Sequence, residues 1–375
     1  MKIGIIGGGV VGSTAAFYLQ QSGKHQVMLL DDGFGQATSA AAGIISPWLS
    51  QRRNKAWYEL AREGAKFYPE LLEDLTQFVS GFSPSLYAKV GTLLFKKNEK
   101  LLQKLEKIAG ERKKEAPEIG EIVRLSPEQI KKRFPLLEPQ TDALYISGGA
   151  RVDGALLIKT LKQAFIRTGG EFRQSKVTGI EPQLDKWDVY LNQERLAFDF
   201  LILATGAWLP SLLEPLGFTV DVRPQKGQLV GLQTKLQTHT WPVVMPQGEG
   251  DLIPSQNGEL LVGATHENDQ AFDLSFDSKK IHELIVHASD LAPKIASFKQ
   301  EFIRTGTRAY TSDYLPFFGA PDSTKHLYVA SGLGSSGLTT GPIIGKMLAQ
   351  KLLEQKTTLS FKCYTPGSYI TKKEK

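Results

Sequence analysis

The chain contains a single cysteine, Cys363, among its 375 residues. No internal disulfide can form, no cysteine-based metal site can be assembled, and nothing in the cysteine usage asks for an oxidising compartment. Long apolar runs are missing too: no stretch reaches the roughly 18 residues of a membrane-spanning helix. The apolar start MKIGIIGGGVVG does not read as a secretory leader. Glycine recurs in it at fixed spacing, and no long apolar run leads to a small-residue cleavage site. A cytoplasmic protein is therefore expected. Internal repeats and low-complexity linkers are also lacking.

Acidic residues are slightly outnumbered, leaving a net charge of +6 and a pI near 9.1. The surplus is diffuse. Its densest run, residues 96–114, interleaves acids and places leucine at helical spacing, which describes a solvated amphipathic helix rather than a nucleic-acid footprint. No nucleic-acid partner and no metal are expected, and self-association is left open. A weak positive field favours the approach of an anionic substrate. Glycine is the residue in excess, and it concentrates in two clusters, at residues 4–12 and 332–341.

Hydrophobic spacing divides the chain into elements. Residues 2–6, 10–21 and 25–30 form a strand, a helix and a strand, a βαβ unit. Residues 56–79 carry helical spacing for one or two helices, and 80–85 form a loop. Ser126-Pro127-Glu128-Gln129 starts a helix with serine as N-cap, and Pro135 and Pro139 close that region. A helix follows over 154–168, then strands over 171–173 and 176–181. A hairpin over 187–192 and 195–203 runs into a buried strand. Residues 219–232 and 252–262 alternate as antiparallel strands do. The last elements are a helix over 278–290, strands over 302–310 and 327–330, and a helix over 342–353. The expected fold is α/β: a Rossmann-type nucleotide-binding domain built from separate segments, with an inserted, mainly antiparallel α+β domain.

The first glycine cluster reads Gly7-x-Gly9-Val10-Val11-Gly12, directly after a strand and opening a helix. Gly7 permits the tight turn, Gly9 lets a pyrophosphate approach the backbone, and Gly12 lets the helix lie close on the sheet. Phosphates would meet free N–H groups and the positive end of a helix dipole. Asp31, with Asp32 beside it, ends the next strand nineteen residues past Gly12, where a carboxylate accepts from ribose hydroxyls. This fingerprint serves NAD and FAD equally.

Further motifs follow in fixed order: Thr38-Ser39-Ala40-Ala41-Ala42-Gly43, Ala204-Thr205-Gly206-Ala207-Trp208, Pro224-x-Lys226-Gly227-Gln228 and Leu261-Val262-Gly263-Ala264-Thr265. Last come Gly306-x-Arg308, with Asp313, Pro316 and Gly319 behind it, and residues 331–337. With these the chain resembles, over nearly its whole length, the glycine oxidase and D-amino acid oxidase family of flavoproteins. The resemblance implies non-covalently bound FAD, since Cys363 lies outside every matching motif. It implies a GR2-like FAD-binding domain over 1–79, 140–215 and 304–375, and a substrate domain over 80–139 and 216–303. By the same resemblance Thr38, Ser39, Ala42, Gly43 and Ile44 contact pyrophosphate and flavin, and the backbone of Val177 meets the adenine. Ala204, Thr205, Gly206 and Trp208 lie near the cofactor. Gly332, Leu333, Gly334, Ser335, Ser336, Gly337 and Leu338 aim the last helix at the pyrimidine end of the flavin, where negative charge develops on reduction.

The family also has an arginine at the position of Arg308, and a guanidinium fork suits the substrate carboxylate. Arg304 lies four residues earlier on the same strand face, as a second candidate or an ion-pair partner. Two positions depart from glycine oxidase: Ser335 stands where it has a second arginine, and Asp251 where it has a tyrosine. Asp251 reads as a group meeting a substrate cation or polar side chain, or as a surface loop residue. His266 is the nearest other titratable group and reads as a surface residue. The implied reaction is oxidation of the C–N bond of a small amino acid by hydride transfer from Cα to flavin N5, giving an imine that hydrolyses to a 2-oxo acid and ammonia. No protein general base is needed, because the cofactor carries the chemistry. Oxygen, or a quinone or carrier, would be the electron acceptor. The alternatives are an N-methyl amino acid such as sarcosine as substrate, and a non-catalytic flavin-binding subunit.

Overall fold

The computed structural model describes residues 1–373. Two sheets organise the chain. The first runs in the order Phe317–Gly319, Leu327–Ser331, Phe200–Leu203, Lys2–Ile6, Gln26–Asp31, Glu171–Gln174, and every neighbouring pair is parallel except the first. Alternation along these strands separates two cores. Ile3, Ile5, Leu29 and Ile202 face a helical layer, while Ile6, Leu30, Leu201 and Leu203 face the other side. The helices are Val10–Gln21, Lys55–Thr76, Gly154–Arg167 and Gly337–Leu352. The opposite layer is a three-stranded antiparallel meander, Gly179–Pro182, Trp187–Tyr190 and Arg195–Phe198, which contributes Ile180, Trp187, Val189 and Phe198 to the second core. Helices on one face and a small meander on the other leave the carboxyl ends of the parallel strands open, where ligands of such sheets bind.

The second sheet has eight strands, in the order Lys299–Tyr310, Arg223–Gln233, Glu259–Gly263, Asp251–Pro254, Val243–Met245, Thr92–Leu94, Ala143–Ile146, Ile122–Leu125. All pairs are antiparallel except Val243–Met245 with Thr92–Leu94. Helix Ser278–Ser289 packs on it, placing Ile281, Leu284 and Ile285 in a third core.

Several boundaries differ from expectation for local reasons. Residues 56–79 form one helix, Lys55–Thr76, which continues through Pro69 and is capped by Asn54. The strand expected from residue 176 begins at Gly179. The last helix starts five residues before Pro342. Proline there removes the N–H that would reach the carbonyl of Leu338, and the hydroxyl of Tyr68 donates to that carbonyl instead, at 2.6 Å. The expected domain boundaries at 139 and 303 also cut across sheet membership. Ala143–Ile146 is hydrogen-bonded within the eight-stranded sheet, and Lys299–Tyr310 stays in it for its full length. Pro135 and Pro139 therefore punctuate a turn inside that unit rather than an exit from it. Ser126 caps its helix as expected and closes a capping box with Gln129, and the amphipathic helix expected within 96–114 forms as Glu99–Lys113, capped by Asn98.

Candidate active site

A cavity of about 860 Å³ opens at the carboxyl ends of the parallel strands. Of the residues expected at the cofactor, its walls hold Gly7, Gly9, Val10, Val11, Asp31, Asp32, Thr38, Val177, Ala204, Thr205, Gly206, Trp208, Leu333, Gly334 and Gly337. The glycine turn has three different steric demands. Gly7 has φ +101°, and a Cβ there would lie 2.4 Å from the carbonyl oxygen of Ala204. A Cβ on Gly12 would lie 1.9 Å from the carbonyl oxygen of Gly7, so this residue holds the helix against the turn instead of lining the cavity. A Cβ on Gly9 would touch only the Thr38 hydroxyl, at 3.5 Å, and so faces open space. The helix after Gly9 has no side-chain cap and no acid in its first turn, which leaves its positive end available to an anion. Asp31 is held rigidly: one carboxylate oxygen accepts from the backbone N–H of Gly8 and from Gln36 Nε2, the other from the N–H of Gly33. The second oxygen keeps a free lone pair for an incoming hydroxyl.

A second cavity, of about 530 Å³, adjoins the first and shares Ala37, Thr38, Gly334 and Gly337 with it. Its walls include Ala42, Gly43, Ile44, Ser335, Ser336, Leu338, Asp251 and Arg308. Helix Gly337–Leu352 points its N-terminus at the junction, again with no side-chain cap and no acid in its first turn. Three expected cofactor contacts line neither cavity. Ser39 donates to Gln36, at 2.9 Å, Gly12 is steric as described, and Gly332 (φ +76°) packs on Thr311 and Leu315 in the turn before the helix.

Strand Lys299–Tyr310 serves both cavities. Thr307 and Ala309 line the first, and Gly306 and Arg308 line the second. Arg308 Nη1 donates to the carbonyl of Thr265 at 2.8 Å and to Gln225 Oε1 at 3.1 Å. No acid pairs with it among the described residues. Burial lowers its pKa to about 10, with Glu249 and Glu267 opposing, so it remains a cation at neutral pH. Gly227 lies beneath the guanidinium: a Cβ there would be 2.7 Å from Arg308 Cζ. Gly227→Ala should therefore tilt the fork without harming the fold. Steady-state kinetics are expected to show a KM about tenfold higher for a carboxylate substrate, with thermal stability unchanged. An unchanged KM would place the carboxylate elsewhere.

Arg304 is placed differently from Arg308. Its Nη2 lies 3.5 Å from Asp153, the N-cap of helix Gly154–Arg167, and it lines neither cavity. Of its two expected roles the geometry gives the ion pair. Asp251 lines the cavity, and burial pushes its carboxyl up to about 7. Its folded pKa exceeds the unfolded value, so the protonated form is favoured in the fold. Stability is intact below the unfolded pKa near 4 and falls as pH rises through 7. Asp251→Asn, which cannot ionise, should melt level with wild type at pH 4 and about 2–4 °C above it at pH 8.5, followed by circular dichroism. Equal melting at both pH values would show that the carboxyl is solvated. His266 is exposed yet reaches the cavity wall, with Nδ1 3.2 Å from Glu249. Its pKa is lowered first by burial and then by Arg308.

Sequence reasoning missed Arg52. Its guanidinium lies over the Trp57 ring, 4.6 Å from the centroid, and Nη2 is 3.5 Å from Ser335 Oγ. An arginine thus reaches Ser335 from another part of the chain. The only signal was the pair Arg52-Arg53 ahead of a helix N-cap. Thr307 was also missed. Its Oγ1, like that of Thr205, is buried at the first cavity without a protein partner among the described residues. Two orphan hydroxyls, open space over Gly9 and two uncapped helix ends suit a long ligand with an anionic middle, as a dinucleotide is. No cluster of three or more metal-ligating side chains occurs among the described residues, and none of their helices is long and apolar enough to cross a membrane.

Comparison with known proteins agrees with this geometry. The family described as "DAO: FAD dependent oxidoreductase" matches residues 2–351. YurR of Bacillus subtilis (strain 168), an uncharacterized oxidoreductase, is 37% identical, with 98% of each chain aligned. Glycine oxidase of Pseudomonas putida is 27% identical over 97% of this chain and 98% of its own. The crystal structure of iminodiacetate oxidase (IdaA) from Chelativorans sp. BNC1 superposes with a TM-score of 0.93 at 31% identity, covering 97% of this chain and 99% of that one. The chain belongs to the DAO family of FAD-dependent oxidoreductases.

Proposed function

We propose that the protein oxidises the Cα–N bond of a small amino acid held by Arg308 beside the flavin. FAD, when bound, would supply the two-electron acceptor for the hydride lost from Cα, and water would convert the resulting imine to a 2-oxo acid and ammonia. In this reading the glycine turn and Asp31 hold the adenosine and pyrophosphate. Residues 42–44 and the N-terminus of the last helix border the flavin. Arg308, fixed by Thr265 and Gln225, orients the carboxylate. The observation that carries the reading is Arg308 itself, a cation without an acid partner among the described residues, in a cavity sharing walls with the cofactor groove. The amine must lose its proton before hydride leaves, and solvent at this half-open cavity is a sufficient acceptor.

A secondary amine is the second reading, favoured by the likeness to a protein named iminodiacetate oxidase. The test is anaerobic reduction of the purified protein by glycine, D- and L-amino acids, sarcosine and iminodiacetate, with product analysis. Ammonia reports a primary amine, formaldehyde an N-methyl group, and glyoxylate with glycine an N-carboxymethyl group. No bleaching with any of them would overturn both readings.

A further inference from the structure

The second cavity carries more positive charge than one carboxylate requires. Three cations, Arg52, Lys96 and Arg308, line it against one acid, Asp251. Elsewhere Arg62, Arg124, Arg173, Arg195, Arg223 and Arg304 have an acid within 4 Å, while Arg53, Arg112, Arg133, Arg151 and Arg167 have none among the described residues but line neither cavity. Arg308 and Arg52 have none among the described residues; Arg308 is half-buried, and Arg52 is exposed at the cavity rim. Arg52 is held without being neutralised. It lies over the Trp57 ring, and among the described residues the polar contacts of its guanidinium are the Tyr314 carbonyl and Ser335 Oγ, each at 3.5 Å. A guanidinium has five N–H donors in a fork that fits a carboxylate, and most of these are free. The two arginines also enter from different elements. Arg308 comes from the long strand of the eight-stranded sheet, and Arg52 from the loop before helix Lys55–Thr76, beside the turn that opens the last helix.

We propose that the cavity takes an amino acid with a second carboxylate, Arg308 holding the carboxylate at the reacting carbon and Arg52 the other. This rests on the amino acid oxidation proposed above and narrows its substrate class. A monocarboxylate would pair with Arg308 alone and leave the Arg52 guanidinium to solvent, whereas a diacid pairs both. The second carboxylate sits either on a nitrogen substituent or on the side chain.

Ligands without an amine separate binding from turnover. The holoenzyme is titrated through its flavin spectrum with diglycolate, which mimics an N-carboxymethyl diacid, with succinate, which mimics a side-chain diacid, and with methoxyacetate, a monoacid. At least one diacid is expected to bind tenfold or more tightly than methoxyacetate. Arg52→Gln should reduce that preference about tenfold, the loss of one charge-assisted pair, and Arg52→Lys should restore part of it. Which diacid is preferred identifies the position of the second carboxylate. Equal affinity for diacids and monoacid in wild type, or the same preference in Arg52→Gln, overturns the proposal. If diacids bind through Arg52 yet no amine bleaches the flavin, the oxidation reading fails and the diacid site stands.

Discussion

Arg308→Ala is expected to lower kcat/KM for amino acid oxidation about a thousandfold while the protein stays yellow and folded. Truncating one member of a buried charge pair costs roughly 2–5 kcal/mol, and 4 kcal/mol is close to three decades in rate. The fold should survive, because among the described residues the Arg308 side chain makes only two hydrogen bonds, both through Nη1, and neither goes to an acid. Flavin uptake should survive as well, since Arg308 lines the second cavity and not the first. Stopped-flow reduction under anaerobic conditions isolates the affected step. A variant that reduces its flavin at the wild-type rate would remove Arg308 from the site.

The glycine turn gives the other large effect, and it splits by position. Gly12→Ala should yield protein without bound FAD and with lost thermal stability. Its new methyl group would meet a backbone oxygen at 1.9 Å, and backbone cannot swing aside as a side chain can. Overpacking of this kind costs about 3 kcal/mol or more. Gly9→Ala, three residues away, should fold normally, because its methyl group touches only a hydroxyl at 3.5 Å. That methyl group projects where the ligand belongs, so FAD affinity should drop while the apoprotein melts within about 2 °C of wild type. Calorimetry of the apoproteins with fluorimetric flavin titration separates the two outcomes. Matching behaviour of both variants would contradict the separate roles of these glycines.

These contrasts also mark what the sequence discloses. The βαβ unit is legible because its information is local. Strand period, glycine spacing and the terminal Asp31 all lie within the first 31 residues, and each keeps its place in the structure. The last helix is legible in kind but not in extent. Pro342 reads as a first turn, and only Tyr68, far away in sequence, makes an interior proline tolerable by satisfying the carbonyl it strands. Arg304 and Arg308 have the same residue type on the same strand face, so spacing alone cannot separate them. Asp153 does so, from 151 residues away. Arg52 is the extreme case, meeting Ser335 across 283 residues. The departure at Ser335 is visible in the sequence, but that Arg52 lies beside it is visible only in the fold.

The strand Lys299–Tyr310 presents alternate residues to two cavities, Thr307 and Ala309 to the first and Gly306 and Arg308 to the second. Thr307 is tied back by its N–H to the carbonyl of Gly35, in the loop that carries Gln36 and Thr38. Whatever steadies that loop also steadies the pleat on which the guanidinium is mounted. By thermodynamic reciprocity, whatever factor nucleotide occupancy adds to anion affinity, anion occupancy adds to nucleotide affinity. Saturating a small acid ligand should therefore slow the escape of flavin from this fold, although the two molecules are received on opposite sides of one ribbon.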